Sequence, residues 1–571
     1  MKKIFLSIII TFSLAIAVIL GIGLFRQSDY VAKSRSSTET NQVWRVALAS
    51  YVNEKKPEVV VDGSALPKQL SKEIYMNDSL GMMLSGEGLT EAFDCAVNCY
   101  DRSNLLIEKG EEQIRLSLGS PIMEKDGERI LLSDAVAVVD DTIYIPAEIM
   151  EKAFHYTYHW NTKELRAEFE RGAETKDLPS YYNYAERGKC TVIKDQENMG
   201  ACWAFAALSA LETTLLPEEK ADYSEDHMLN NSGFGLSPEE GGDYIMALSY
   251  LSSWKGPVRE ADDPYGDGKS DPLLTAVKHV QEVRMIERKD YETIKKMIFK
   301  YGGVESSIYM ALLDESTIDD RYYNNVTNAY CYPEETDPNH EIVIIGWDDD
   351  YPADNFASHV ASDGAFICQN SWGSRFGEDG IFYVSYEDAV IGTTNEVYTR
   401  IEDADNYDHI YQYDLCGWIG RVGYNRNHAY FANVYTAENE EELAAVSFYA
   451  TGKDTTFKVY VDTDVKNEGD LKIQGDPAAE GAFADTGYYT VELDVPVPLK
   501  KGSRFAVIVE INTPGSTHPI AMEMSVDDSR TGMVSLEGKE SYISNTGSFW
   551  ERTQESSSCN VCLKAFTRDK K

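Results

Sequence analysis

The segment Cys202 to Leu216, Cys-Trp-Ala-Phe-Ala-Ala-Leu-Ser-Ala-Leu-Glu-Thr-Thr-Leu-Leu, constrains the fold more than any other stretch of this 571-residue chain. Its apolar residues are almost continuous and form no single stripe. A helix that is apolar all round lies inside a domain, with other elements packed on every side. Pro217 cannot continue it. Its N-terminal end, opened by Cys202, reaches the surface, where free backbone N–H groups and the helix dipole favour thiolate over thiol. A structural cysteine at a buried helix start is the competing reading.

Two further segments bear on that cysteine. In Asp337-Pro338-Asn339-His340-Glu341-Ile342-Val343-Ile344-Ile345-Gly346-Trp347 a histidine heads an apolar strand, which places a base at a strand edge. In Ala365-Phe366-Ile367-Cys368-Gln369-Asn370-Ser371-Trp372-Gly373 an asparagine stands between another apolar strand and a Trp-Gly turn, where its carbonyl can orient an imidazole. Gln196, six residues before Cys202, can offer its amide together with the Cys202 backbone N–H to a developing oxyanion.

Cysteine, histidine and asparagine in this order, each in its own context, resemble the papain-like cysteine peptidases across about residues 178–400. The resemblance implies Cys202 as nucleophile, His340 as acid/base, Asn370 as its orienter and Gln196 as oxyanion donor. Cysteine to histidine is 138 residues, inside the usual interval, whereas cysteine to asparagine is 168, beyond it. The excess falls in the acidic stretch from Asp348 to Asp363, read as a surface elaboration. Trp372 resembles the tryptophan that shields the histidine–asparagine pair. Gly241-Gly242 resembles the glycine pair that hydrogen-bonds an extended substrate, with a plain turn as the rival. Gln-Glu-Asn-Met-Gly-Ala-Cys-Trp departs from the family's Gln-Gly-x-Cys-Gly-Ser-Cys-Trp: Met199 replaces the disulfide cysteine, and Glu197 brings a charge that raises the thiol's pKa if it points inward. The resemblance implies no metal or organic cofactor.

The rest of the chain supplies context. A composition of 43% hydrophobic and 26% charged residues is that of a folded protein, and the length allows about four units, or two large ones. With 95 acidic against 53 basic residues, the net charge of −42 excludes a nucleic-acid partner. Between Lys176 and Arg400 the balance is 18 basic to 41 acidic, so a cationic peptide is drawn there. Met1-Lys2-Lys3 precedes 22 uncharged residues, Ile4 to Phe25, read as an uncleaved membrane anchor with the body outside; cleavage after Ala15-Ile16-Ala17, giving a secreted protein, is the alternative. Nine cysteines leave at least one unpaired, and Cys95/Cys99 and Cys559/Cys562 lack the nearby histidines of a zinc site, so local disulfides or free thiols are expected. His227 and His279 lie outside the constellation and are expected to be packed or at the surface.

The expected architecture is α+β and multidomain. Residues 1–29 form the signal segment, and 30–112 a linker and a region without an assigned fold. Residues 113–170 resemble the small amine-oxidase N-terminal-like module of exported bacterial proteins, a small α+β scaffold with no copper site. Its helix is placed at Ala147 to Tyr156, and His155 and His159 are read as packing rather than metal ligands. Residues 176–400 form the two-lobed papain-like unit, a helical lobe plus a β lobe, expected to hydrolyse small peptides by itself. Residues 401–571 alternate short strands with Gly-, Asp- and Pro-rich turns and resemble a lectin-like domain, implying a jelly-roll β-sandwich. Trp418 and Trp550 are candidates there for stacking on sugar rings, or for the core. The function expected is an exported cysteine endopeptidase acting on a peptide or protein substrate. Its sandwich would bind cell-surface carbohydrate or protein, and its N-terminal segment the membrane. Transpeptidation with the same triad, or an impaired surface-binding protein, are the alternatives.

Overall fold

The computed structural model describes residues 178–570 apart from 268, 315–316 and 527–529, together with most of 58–171. The expected anchor, Ile4 to Phe25, lies outside the described residues; among those described, no helix is long and apolar enough to cross a membrane. The chain divides into two compact units, one ending at Asp177 and one spanning Leu178–Lys571.

The first unit extends further toward the N-terminus than residues 113–170. Strands Glu58–Val61, Ile74–Met76, Met82–Ser85, Ala96–Cys99 and Asn104–Lys109 and the helix Gly86–Phe93 occupy the interval without an assigned fold. Glu58–Val61 pairs in parallel with Arg166–Arg171, a partner too distant in sequence for local patterning to reveal. A five-stranded antiparallel meander runs from Ala96–Cys99 to Glu128–Leu131, with Lys125 opposite Glu128; Asp126 and Gly127, the expected turn, lie outside the described residues. The helix is shorter than expected, Ile149–Phe154. Tyr156–Asn161 is instead a strand paired with Arg166–Arg171, because its aromatic and β-branched residues alternate. His159 therefore sits on a strand, and His155 lies outside the described residues.

In the second unit the helix Cys202–Leu215 is enclosed as its composition requires, and it ends where Leu216 turns extended before Pro217. Around its N-terminal half pack Glu225–Asn231, capped by Ser224, and Tyr244–Ser252, capped by Asp243. The helix Tyr291–Lys300 buries Ile294 and Ile298, the stripe its spacing implies, and Asp290 caps it. The opposing lobe is antiparallel sheet. His340–Asp348 lies between Val304–Ile308 and Ala365–Gln369 and is buried along eight of its nine residues.

This sheet does not stop at residue 400. Lys278–Met285 pairs on one side with Asn395–Asp403 and on the other with Thr486–Leu499, so the strands of the C-terminal region continue the same layer. The two backbones approach closely at Gly487, where a Cβ would stand 2.2 Å from the Val283 carbonyl oxygen. A second, six-stranded sheet containing His428–Thr436 and Arg504–Asn512 faces Glu441–Ala450 across a core of Phe431, Phe448, Phe505, Val507 and Val509. Cys190, Cys202, Cys331, Cys368, Cys416, Cys559 and Cys562 are free thiols, so Cys559 and Cys562 form no local disulfide.

Candidate active site

Cys202 opens the central helix behind Ala201, which offers no side-chain cap. The backbone N–H groups of Trp203 and Glu341 both point at its sulfur, which places the thiol beside the start of the histidine strand. His340 is that strand's first residue, 6% exposed, and its Nε2 lies 2.7 Å from Asn370 Oδ1. The same oxygen accepts the Ser371 N–H at 2.8 Å, which fixes the amide's orientation. An oxygen can only accept, so Nε2 carries the proton, and neutral His340 presents its Nδ1 lone pair to other partners. Trp372 covers the pair, its ring centre 4.8 Å from that of the imidazole.

Gln196 is held from several directions. Its backbone N–H donates to Ser371 O at 2.8 Å, its Oε1 accepts from Ser371 Oγ at 2.6 Å, and its Nε2 donates to Met199 O at 2.8 Å. The amide has a second Nε2 proton that these bonds leave unused. Glu197 is exposed, turned at φ 54° with its N–H bonded to Asp195 Oδ1. The glycine pair packs against the turn that leads into the helix. A Cβ on Gly242 would meet Trp203 Nε1 at 2.6 Å, one on Gly200 would meet Gly241 N at the same distance, and Gly241 has φ +83°. Both glycines thus border the Cys202 turn, and their backbone is needed there in a form that side chains would block.

The electrostatics differ from the expected thiolate. Burial pushes the Cys202 thiol up to about 12, and the Glu341 carboxylate adds to the effect. Burial also holds His340 down to about 4 against a small upward pull from Asn370. Desolvation thus opposes charge on both groups and works against the short-range help of the helix N-terminus.

Sequence patterning did not single out the carboxyls beside the thiol. Glu341 follows His340 directly and accepts from Ser307 Oγ at 2.8 Å; its carboxyl is pushed up to about 8 by burial. Glu305 and Glu396 are buried on the adjacent strands, facing each other in register, and are raised well above the usual carboxylate range by burial and by their neighbours. Glu305 Oε1 and Glu396 Oε2 have no protein partner. A lone glutamate inside the short strand Val304–Ile308, buried at all five positions, was the available signal.

Other candidates resolve into packing. His227 Nδ1 meets the Tyr250 hydroxyl at 2.6 Å, and His279 stacks on Trp254 with ring centres 3.7 Å apart. Trp550 is half-buried, its Nε1 donating to Leu471 O at 3.2 Å. Trp418 is half-buried against Tyr449.

Three family profiles match: papain family cysteine protease over residues 178–401, lectin-like domain over 410–567, and copper amine oxidase N-terminal domain over 60–168. The viral cathepsin of Heliothis zea nuclear polyhedrosis virus is 28% identical over 40% of this chain and 58% of its own length. Cysteine proteinase 1 of Entamoeba histolytica is 27% identical over 38% of this chain and 67% of its own. The chain thus spans about three fifths to two thirds of these curated relatives. Among solved structures, the clostridial cysteine protease Cwp84 after propeptide cleavage aligns with TM-score 0.61 and 27% identity, over 69% of this chain and all of that one. The cysteine protease and lectin-like domains of Cwp84 from Clostridium difficile, a surface layer associated protein, align with TM-score 0.59 and 26% identity, over 69% of this chain and 90% of that one. With the cysteine, histidine and asparagine assembled in one groove and the β-rich region continuing its sheet, this chain carries a papain-family cysteine protease domain fused to a lectin-like domain.

Proposed function

We propose that the protein is an exported cysteine endopeptidase in which Cys202, His340, Asn370 and Gln196 perform peptide-bond hydrolysis. The observation that carries this reading is the His340–Asn370 hydrogen bond at 2.7 Å beside a thiol that receives the Glu341 N–H. Asn370 holds the proton on Nε2, so Nδ1 takes the Cys202 proton as sulfur attacks the substrate carbonyl carbon. The oxyanion meets the Cys202 N–H and the free proton of the Gln196 amide. His340 returns its proton to the leaving amine as the C–N bond breaks. Water then adds to the thioester, giving a proton to His340, and the C–S bond breaks to release the acid and the thiol.

The excess of acidic residues between Lys176 and Arg400, 41 against 18 basic, supports a cationic peptide as substrate. The apolar run Ile4 to Phe25 supports location at the outer face of a membrane, and the lectin-like domain supports attachment to surface carbohydrate or protein. Covalent labelling with a papain-family epoxide inhibitor followed by mass mapping tests the assignment. Modification confined to Cys202 supports it, and labelling spread without preference over the free cysteines removes it.

A further inference from the structure

A cavity of about 410 Å³ lies along the seam between the protease and lectin-like domains. The protease side supplies Tyr244, Ile245 and Met285; the lectin-like side supplies Trp418, Arg421 and Tyr449. Its volume is that of ordinary ligand sites, about 300 to 1,000 Å³. Tyr244 connects it to the active groove: it follows Gly241-Gly242-Asp243 directly and lies within electrostatic reach of Glu341 and Glu396. The lining of the cavity thus begins three residues after Gly241 in the sequence.

Arg421 is the single charged residue in the lining. Its guanidinium stands 4.9 Å from the centre of the Trp418 ring, and no carboxylate among the described residues pairs with it. In a chain of net charge −42 that is unusual company for an arginine. The other lectin-like cation reaching this side, Arg530, is already bonded to Asp243.

We propose that this cavity is a subsite for the polypeptide substrate that takes an acidic side chain several residues from the scissile bond, so that the lectin-like domain takes part in choosing what the protease cuts. The guanidinium donates two parallel hydrogen bonds to the carboxylate, and the half-buried apolar lining covers the stem of the side chain. The proposal rests on the peptidase reading.

The test is a set of fluorogenic peptides around one fixed scissile pair, in which Glu or Gln is moved position by position along both sides. Wild-type protein should show a kcat/KM advantage of about 5- to 10-fold for Glu at one position outside the residues flanking the cut. Arg421→Gln should bring that ratio to about one, and Arg421→Glu should invert it in favour of Lys. A flat profile in wild type, or an advantage that survives Arg421→Gln, overturns the proposal. Anisotropy of the same peptides on the Cys202→Ala protein reads the subsite without turnover, so failed hydrolysis and a failed subsite are distinguished. Tighter binding of an oligogalacturonate than of the Glu peptide, abolished by Arg421→Gln, would assign the cavity to acidic saccharide and also overturn it.

Discussion

Arg530 of the lectin-like domain donates to the carboxylate of Asp243, the residue that follows the glycine pair and caps the helix Tyr244–Ser252. The Arg530 carbonyl also accepts the Gly235 N–H at 2.9 Å. One side of the active groove is thus tied to the neighbouring domain within two residues of Gly241. This changes the expectation that residues 176–400 act alone. A fragment ending at Arg400 leaves Lys278–Met285 as an open sheet edge and Asp243 without its cation. It should aggregate or lose most peptidase activity, whereas the 178–571 fragment should be soluble; size-exclusion chromatography and peptide hydrolysis on the two fragments check this. Arg530→Gln in the full chain should cost about 1 kcal/mol or less, since both partners are partly exposed, and thermal unfolding measures it.

Cys202→Ala should abolish hydrolysis with an unchanged circular dichroism spectrum, because the sulfur supplies chemistry and little volume. Turnover retained in this variant removes the nucleophile assignment.

Asn370→Ala should slow kcat while sparing part of it, about 10- to 100-fold, because the asparagine fixes only the tautomer and orientation of His340. It also removes the bond that raises the imidazole, so the acidic limb of the pH–rate profile should move to lower pH. A shift in the opposite direction would mean that Asn370 does not hold Nε2–H.

Glu341→Gln reads out the buried carboxyl. In the folded protein Glu341 titrates near 8 against an ordinary 4.5, so the folded state keeps a proton that the unfolded state loses across this window. Stability from this group is present below about pH 4.5 and is lost as pH rises through about 8. The variant should remove that loss and gain up to a few kcal/mol over wild type at alkaline pH, at about 1.4 kcal/mol per unit. It should also lower the pH at which iodoacetamide alkylates Cys202, since the Glu341 charge raises the thiol. Melting temperature against pH and alkylation rate against pH check the two effects.

If Ile4 to Phe25 is an anchor, the protein should sediment with membranes and lose its body to added protease. An N-terminus found just after Ala17 would replace the anchor by a cleaved signal.

The sequence by itself determined the central helix, because an almost continuous apolar run ending at Pro217 has one economical placement. It also offered Cys202, His340 and Asn370 as site candidates, through the resemblance of their three segments to the papain-like peptidases. The helix Tyr291–Lys300 was legible from the spacing of Ile294 and Ile298. Only the tertiary structure decided that Glu58–Val61 belongs with Arg166–Arg171, that Lys278–Met285 joins two domains in one sheet, and that Glu305 and Glu396 are buried opposite each other on paired strands. These are pairings between distant segments, and local periodicity carries no information about which strand lies beside which. The protonation of the groove belongs to the same class. A helix N-terminus is visible in sequence and argues for thiolate, but the burial and neighbouring carboxyl that push the Cys202 thiol up exist only once the strands have come together.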